Sequence, residues 1–163
     1  MESVNQIIQR HTSCAPVNIE QLIRDLGIEL DSKAELHSDI SGQLERLDDG
    51  KYKISVNKNH HYYRRRFSMA HELGHFLLHL HLVDEGVDDS KMYRSTDTGR
   101  FYNEKITNVH ETEANKFASH ILTPDKLVET AIQKNGNDAQ TLSKIFKVSE
   151  QAMKIRLKQF IKA

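Results

Sequence analysis

Two histidines four residues apart, with a glutamate directly after the first, stand inside the stretch Phe67–Leu82, FSMAHELGHFLLHLHL. On an α-helix such histidines share one face about a turn apart, so the imidazoles of His71 and His75 can reach a single metal ion. Glu72 projects from the next position, close enough to take a proton from a water activated by that metal and badly placed to be a ligand. The spacing is that of a zinc site with its own general base. The chain has ten histidines, so a chance H-E-x-x-H must be weighed. The context argues against chance: Met69, Ala70, Leu73, Phe76, Leu77, Leu78 and Leu80 surround the pentad, and ionisable groups are costly on an apolar helix unless they have partners. Gly74 points the same way. A helix-interior glycine costs about 1 kcal/mol relative to alanine, which predicts that something packs closely against that turn.

A catalytic zinc takes three protein ligands and leaves a fourth position open, so a third ligand is expected from elsewhere. His110 to Leu122, HETEANKFASHIL, reads as a second helix with Ala114, Phe117, Ala118 and Ile121 as its apolar stripe. At about 100° per residue Glu111 falls roughly 50° from the centre of that stripe and Glu113 roughly 110° from it. Glu111 is the better inward-facing ligand, with Glu113 as the alternative. Asn115, one turn after Glu111, is placed to orient it, and His120 or His110 is a candidate alternative ligand or oxyanion donor. His79 extends the histidine series but lies about 12 Å along the axis from His71 at 1.5 Å per residue, so one ion cannot bind both. It is read as a supporting group behind the ligands, a capping group or a core residue. Asp84 to Asn108 is polar and without clear period, and reads as a long loop bordering the site, from which Tyr93, Arg94 or Tyr102 could reach a substrate or oxyanion.

The strings RRRFSMAHELGHFLLH and ETEANKFASHILTP together resemble the ImmA/IrrE family of zinc metallopeptidases, which pairs H-E-L-G-H with a later E-x-E-A-N-x-F-A. PVNIEQLIRDLGIEL and the Ser-Gly strand resemble the family's N-terminal part, so the likeness covers most of the chain. Leu122-Thr123-Pro124 stands where the family has Leu-Met-Pro. The resemblance implies that His71 and His75 bind zinc, that Glu72 is the base and that Glu111 is the third ligand. It also implies a biology: cleavage or inactivation of a helix-turn-helix repressor in mobile-element or stress regulation.

The elements that must position these groups follow from pattern. Val4, Ile7 and Ile8 give a short amphipathic start, and Ser13 to Pro16 a break. Asn18 is a candidate N-cap for a helix with Ile19, Leu22, Ile23 and Leu26 on one side and Gly27 as its stop. Gly42 to Leu47 and Lys51 to Asn57 alternate as strands about the turn Asp48-Asp49-Gly50, predicting a hairpin. An edge strand of such a sheet can hold an extended peptide by main-chain hydrogen bonds, although it can equally well do no more than cover the helix. The basic run Arg64-Arg65-Arg66 opposes the dipole at the start of the zinc helix, and is expected on a solvated face or paired with the acidic hairpin turn. Thr123-Pro124 opens another helix that Asn135-Gly136 ends, and Leu142 to Phe160 reads as two short helices joined at Lys147-Val148-Ser149, a unit resembling a helix-turn-helix. Its lysines and Arg156 make it locally basic, so DNA contact is a minority expectation beside simple packing on the core.

At 163 residues the chain supports one core. Lys plus Arg and Asp plus Glu balance at 23 each, which gives no overall field for nucleic acid or membranes. The lone Cys14 excludes an internal disulfide and is expected to be a small packed residue, and no apolar run is long enough to span a bilayer. The expectation is a cytoplasmic α+β protein: a small antiparallel sheet packed on the H-E-x-x-H helix and a second ligand-bearing helix in residues 1–122, with a helical region, 123–163, packed on that core. Its ion is expected to be Zn2+, with Mn2+ and Fe2+ suited to the same ligands. A protein substrate is the expected partner, with a non-catalytic anti-repressor role or direct nucleic-acid binding as the alternatives.

Overall fold

The structure is a computed structural model that describes residues 1–83, 91–96 and 107–160, with side chains described for 1–80 and 107–160. Among the described residues the helices are α1 (Val4–His11), α2 (Ile19–Asp25), α3 (Tyr62–Val83), α4 (Asn108–Leu122), α5 (Asp125–Asn135), α6 (Ala139–Phe146) and α7 (Glu150–Lys158). The strands are β1 (Glu29–Ala34), β2 (Ile40–Arg46), β3 (Tyr52–Asn57) and β4 (Lys91–Thr96). The class is α+β. No described helix is long and apolar enough to cross a membrane.

Local signals account for many of the boundaries. Asn18 caps α2 by accepting from the Gln21 N–H, and Gly27 leaves the helix at φ 84°, a region where a side chain would be strained. Gly50 does the same in the turn of the β2–β3 hairpin, whose antiparallel register sets Gly42 opposite Val56 and Leu44 opposite Ile54. Cys14 is exposed rather than packed.

The sheet has the order β1-β3-β2-β4. It is mixed: β1 runs parallel to β3, while β2 is antiparallel to both β3 and β4. β4 falls inside the stretch read from sequence as a loop. An edge strand is held by main-chain pairing with its one neighbour, so it can form without an apolar period of its own. Ile40, Leu44, Ile54 and Val56 are buried from the sheet, and Met69, Ala70 and Leu73 from α3. α4 adds Ala118, Ile121 and Leu122 to the same core, which continues through Leu142, Phe146, Met153 and Leu157 of α6 and α7.

Of the arginines entering α3, Arg64 is exposed, whereas Arg65 and Arg66 are turned to backbone carbonyls rather than to the hairpin turn. Arg65 donates to the His60 and Ser32 carbonyls. Arg66, 3% exposed, donates to the carbonyls of Val17, Phe146 and Lys147. Its planar fork thereby satisfies the open C-terminal end of α6 and ties α3 to both ends of the chain. Arg156 is also turned inward. It donates to Thr123 Oγ1 and the Thr123 carbonyl and pairs with Asp125, so it is removed from the basic surface that would face a phosphate backbone.

Candidate metal centre

α3 is apolar on nearly every side because it is covered nearly all round, by β2 and β3, by α2 and by α4. α4 runs antiparallel to it. His79 of α3 meets His110 and Glu113 near the start of α4, His75 meets Glu111, and His71 meets Glu111 and Asn115 one turn further along. Gly74 permits this approach. A Cβ there would stand 3.0 Å from the Phe117 ring, 3.3 Å from the Ala114 Cα and 3.4 Å from the Ala114 carbonyl oxygen. The close neighbour that the glycine predicts is therefore the backbone of α4.

The approach brings three groups to one point. His71 Nε2 lies 2.7 Å from Glu111 Oε2, His75 Nε2 lies 2.9 Å from Glu111 Oε1, and the two Nε2 atoms are 3.1 Å apart. His71 is 5% exposed and His75 is fully buried. Among the described residues this His71, His75 and Glu111 set is the cluster that can hold a metal ion. The donor chemistry fits one. A tetrahedral site with bonds of about 2.0–2.1 Å spaces its ligand atoms by about 3.3 Å, near the separations seen, and two imidazoles with one carboxylate leave one position open. The outer nitrogens are engaged too: His71 Nδ1 is 2.8 Å from Asn115 Oδ1 and His75 Nδ1 is 3.0 Å from His79 Nδ1.

Charge is arranged to match. Burial opposes ionisation of Glu111, but hydrogen bonds from His71 and His75 outweigh it and bring this carboxyl down to about 2. For His71 burial also opposes the charge, and Glu111, Glu72 and Asn115 together still raise its pKa above the ordinary value. For His75 burial prevails, helped by repulsion from His71 and His79, and the imidazole is held toward its neutral form. Neutral imidazole is the form that ligates.

Glu72 is completely buried beside β2. A Cβ on Gly42 would lie 3.4 Å from the Glu72 Cγ and Oε1 and 3.3 Å from the Ser55 carbonyl oxygen. Gly42 thus gives Glu72 its room, a role not recognised from sequence. The available signal was a glycine interrupting an alternating strand, which marks a close approach. An apolar cavity of about 790 Å³, also absent from the sequence reading, begins at Asn115 and Phe67 beside His71 and extends along the α3–α4 seam to Ala152 and Ile155 of α7.

Several candidates lie elsewhere. Glu113 is not at the cluster. Its carboxylate is 3.3 Å from His79 Nε2 and its side chain is 51% exposed, as its helical phase requires. His120 is exposed, its Nδ1 donates to the Lys116 carbonyl, and it is not part of the His71, His75 and Glu111 cluster. His110 closes the N-terminus of α4 in a reciprocal cap with Thr107. Tyr93 lies in β4 opposite Leu44, and its side chain is outside the described residues, as is the whole of Tyr102.

A buried His-His-Glu cluster shared by two antiparallel helices, with a glutamate following the first histidine, defines a metallopeptidase-type domain. The model of the family Peptidase_M78, described as the IrrE N-terminal-like domain, matches residues 28–158. The chain belongs to that family. A search of curated proteins finds no match.

Proposed function

We propose that this protein is a zinc-dependent endopeptidase that inactivates a helix-turn-helix transcriptional repressor by cutting it. The observation that carries the hydrolytic reading is the Glu111 carboxylate set between His71 Nε2 and His75 Nε2, with Glu72 buried on the same helix. Family membership supports the same reaction class. The repressor as substrate rests on the likeness to the ImmA/IrrE proteins.

When bound, the metal supplies a Lewis acid that polarises the scissile carbonyl and acidifies the attacking water. His71, His75 and Glu111 would hold it, with Asn115 fixing the ring of His71. Glu72 takes the proton released as the water attacks the peptide carbon, then returns it to the leaving nitrogen as the C–N bond breaks. β4 at the sheet edge suits main-chain pairing with an extended substrate, and the cavity beside His71 suits apolar side chains flanking the cut.

The test is co-incubation of the metal-loaded protein with a helix-turn-helix repressor from the same genome, using Glu72→Gln as the control. The expected result is a cleaved repressor with the wild type and, with Glu72→Gln, a normal metal content and cleavage slowed by a factor of about 10²–10⁴. Equal cleavage by the variant removes Glu72 from the reaction. An intact repressor in a stable complex replaces cleavage by sequestration.

A further inference from the structure

His79 and Glu113 are left over once the three ligands are assigned, yet they are joined to the centre by hydrogen-bond distances. His75 Nδ1 is 3.0 Å from His79 Nδ1, and His79 Nε2 is 3.3 Å from Glu113 Oε1. The chain of contacts runs from a ligand with no exposed surface, through a histidine 3% exposed, to a carboxylate half in solvent. We propose that Glu113 and His79 are positioning residues that together set the tautomer of His75, so that its Nε2 lone pair faces the metal. This inference rests on the metal-centre reading above.

A neutral imidazole carries one N–H. For His75 to ligate through Nε2, its proton must sit on Nδ1, where it can be donated only if His79 Nδ1 is bare. The His79 proton must then sit on Nε2, facing Glu113, and an ionised carboxylate can only accept. One direction of donation therefore runs through all three residues: His75 Nδ1–H to His79, His79 Nε2–H to Glu113. In the opposite tautomer, His79 donates from Nδ1 and pushes the His75 proton to Nε2, into the place a metal would take. Two adjacent histidines do not choose between these chains. Glu111, 2.9 Å from His75 Nε2, draws the proton to that nitrogen while no metal is bound; where a metal takes that place, Glu113 at the far end favours the first chain.

His71 is held differently. Its Nδ1 faces the amide oxygen of Asn115 directly, so one residue suffices. The contrast gives a test specific to the relay. The full-length protein is stripped with a chelator and titrated with zinc against a chromophoric competitor, and its Co2+ form is followed by visible absorption. The variants are Glu113→Ala, His79→Gln and the double variant, with Glu111→Ala as the control for the centre. Glu113→Ala should weaken zinc binding by about 10–100-fold and shift the Co2+ bands, with little change in urea midpoint because the side chain is half exposed. His79→Gln offers an amide oxygen to His75, as Asn115 does to His71, and should bind zinc within a few-fold of wild type. In that background Glu113→Ala should cost nothing, since an amide has no tautomer to set. Zinc affinity unchanged in Glu113→Ala, or the same loss in both backgrounds, overturns the relay. A wild type that takes up no metal, or a Glu111→Ala variant that binds like wild type, overturns the metal centre itself.

Discussion

Gly74→Ala sets two effects of opposite sign against each other, and the structure decides between them. Within an isolated helix the change is favourable by about 1 kcal/mol. At this position the new methyl would meet the Phe117 ring at 3.0 Å and the Ala114 Cα and carbonyl oxygen at 3.3 and 3.4 Å, against an optimum of about 3.5–4.0 Å between carbons. The Phe117 ring can turn aside. The Ala114 backbone cannot, so α3 and α4 must part by a few tenths of an ångström. Overpacking of this kind costs about 1–3 kcal/mol, leaving a net destabilisation of about 0–2 kcal/mol. Metal binding feels the change more. Ala114 is one turn from Glu111, and ligand distances hold to about 0.2 Å, so the same displacement should weaken zinc by about tenfold or more. The assay is urea unfolding of the chelated protein beside competitive zinc titration. A variant that is more stable and binds zinc as tightly as wild type would show that Gly74 is not what brings α4 to the ligands.

Three further outcomes follow from the same contacts. Arg66→Met should destabilise by about 2–4 kcal/mol, because three carbonyls lose a buried charged donor; a urea midpoint near wild type would show that they find other partners. In the metal-free protein, Glu111 has its pKa lowered from 4.5 to about 2, so its contribution is present above pH 4.5 and lost as pH falls toward 2. His71 is raised above 6.5, so its contribution is complete below that pH and lost as pH rises through the higher value. The stability gap between chelated wild type and Glu111→Gln should therefore be widest between about pH 4.5 and 6.5, at about 1–3 kcal/mol, and a gap independent of pH would rule out the ion pair. Gly42→Ala should press the new methyl on both Glu72 and the Ser55 carbonyl and lower turnover several-fold while leaving zinc content at the wild-type level; full activity would show that Glu72 needs no such clearance.

Periodicity and capping chemistry are local, and what they specify was legible in the chain alone. The apolar surround of His71 and His75 marks α3, Asn18 and Gly27 bound α2, and Asp48-Asp49-Gly50 turns the hairpin. Helical phase even chooses Glu111 over Glu113, because the direction a side chain takes from its own helix is set within that helix. What a group meets after leaving its element is decided by chain brought from far away. Arg66 carries no sign in the sequence that it will close the end of α6, eighty residues on. β1 and β4 owe their strand state to β3 and β2 rather than to their own alternation. The meeting of Glu113 with His79, the clearance that Gly42 gives Glu72, and the cavity between α3, α4 and α7 exist only once separate elements are packed. A sequence records which side of each helix or strand is to be buried; only the folded packing determines what is buried against it.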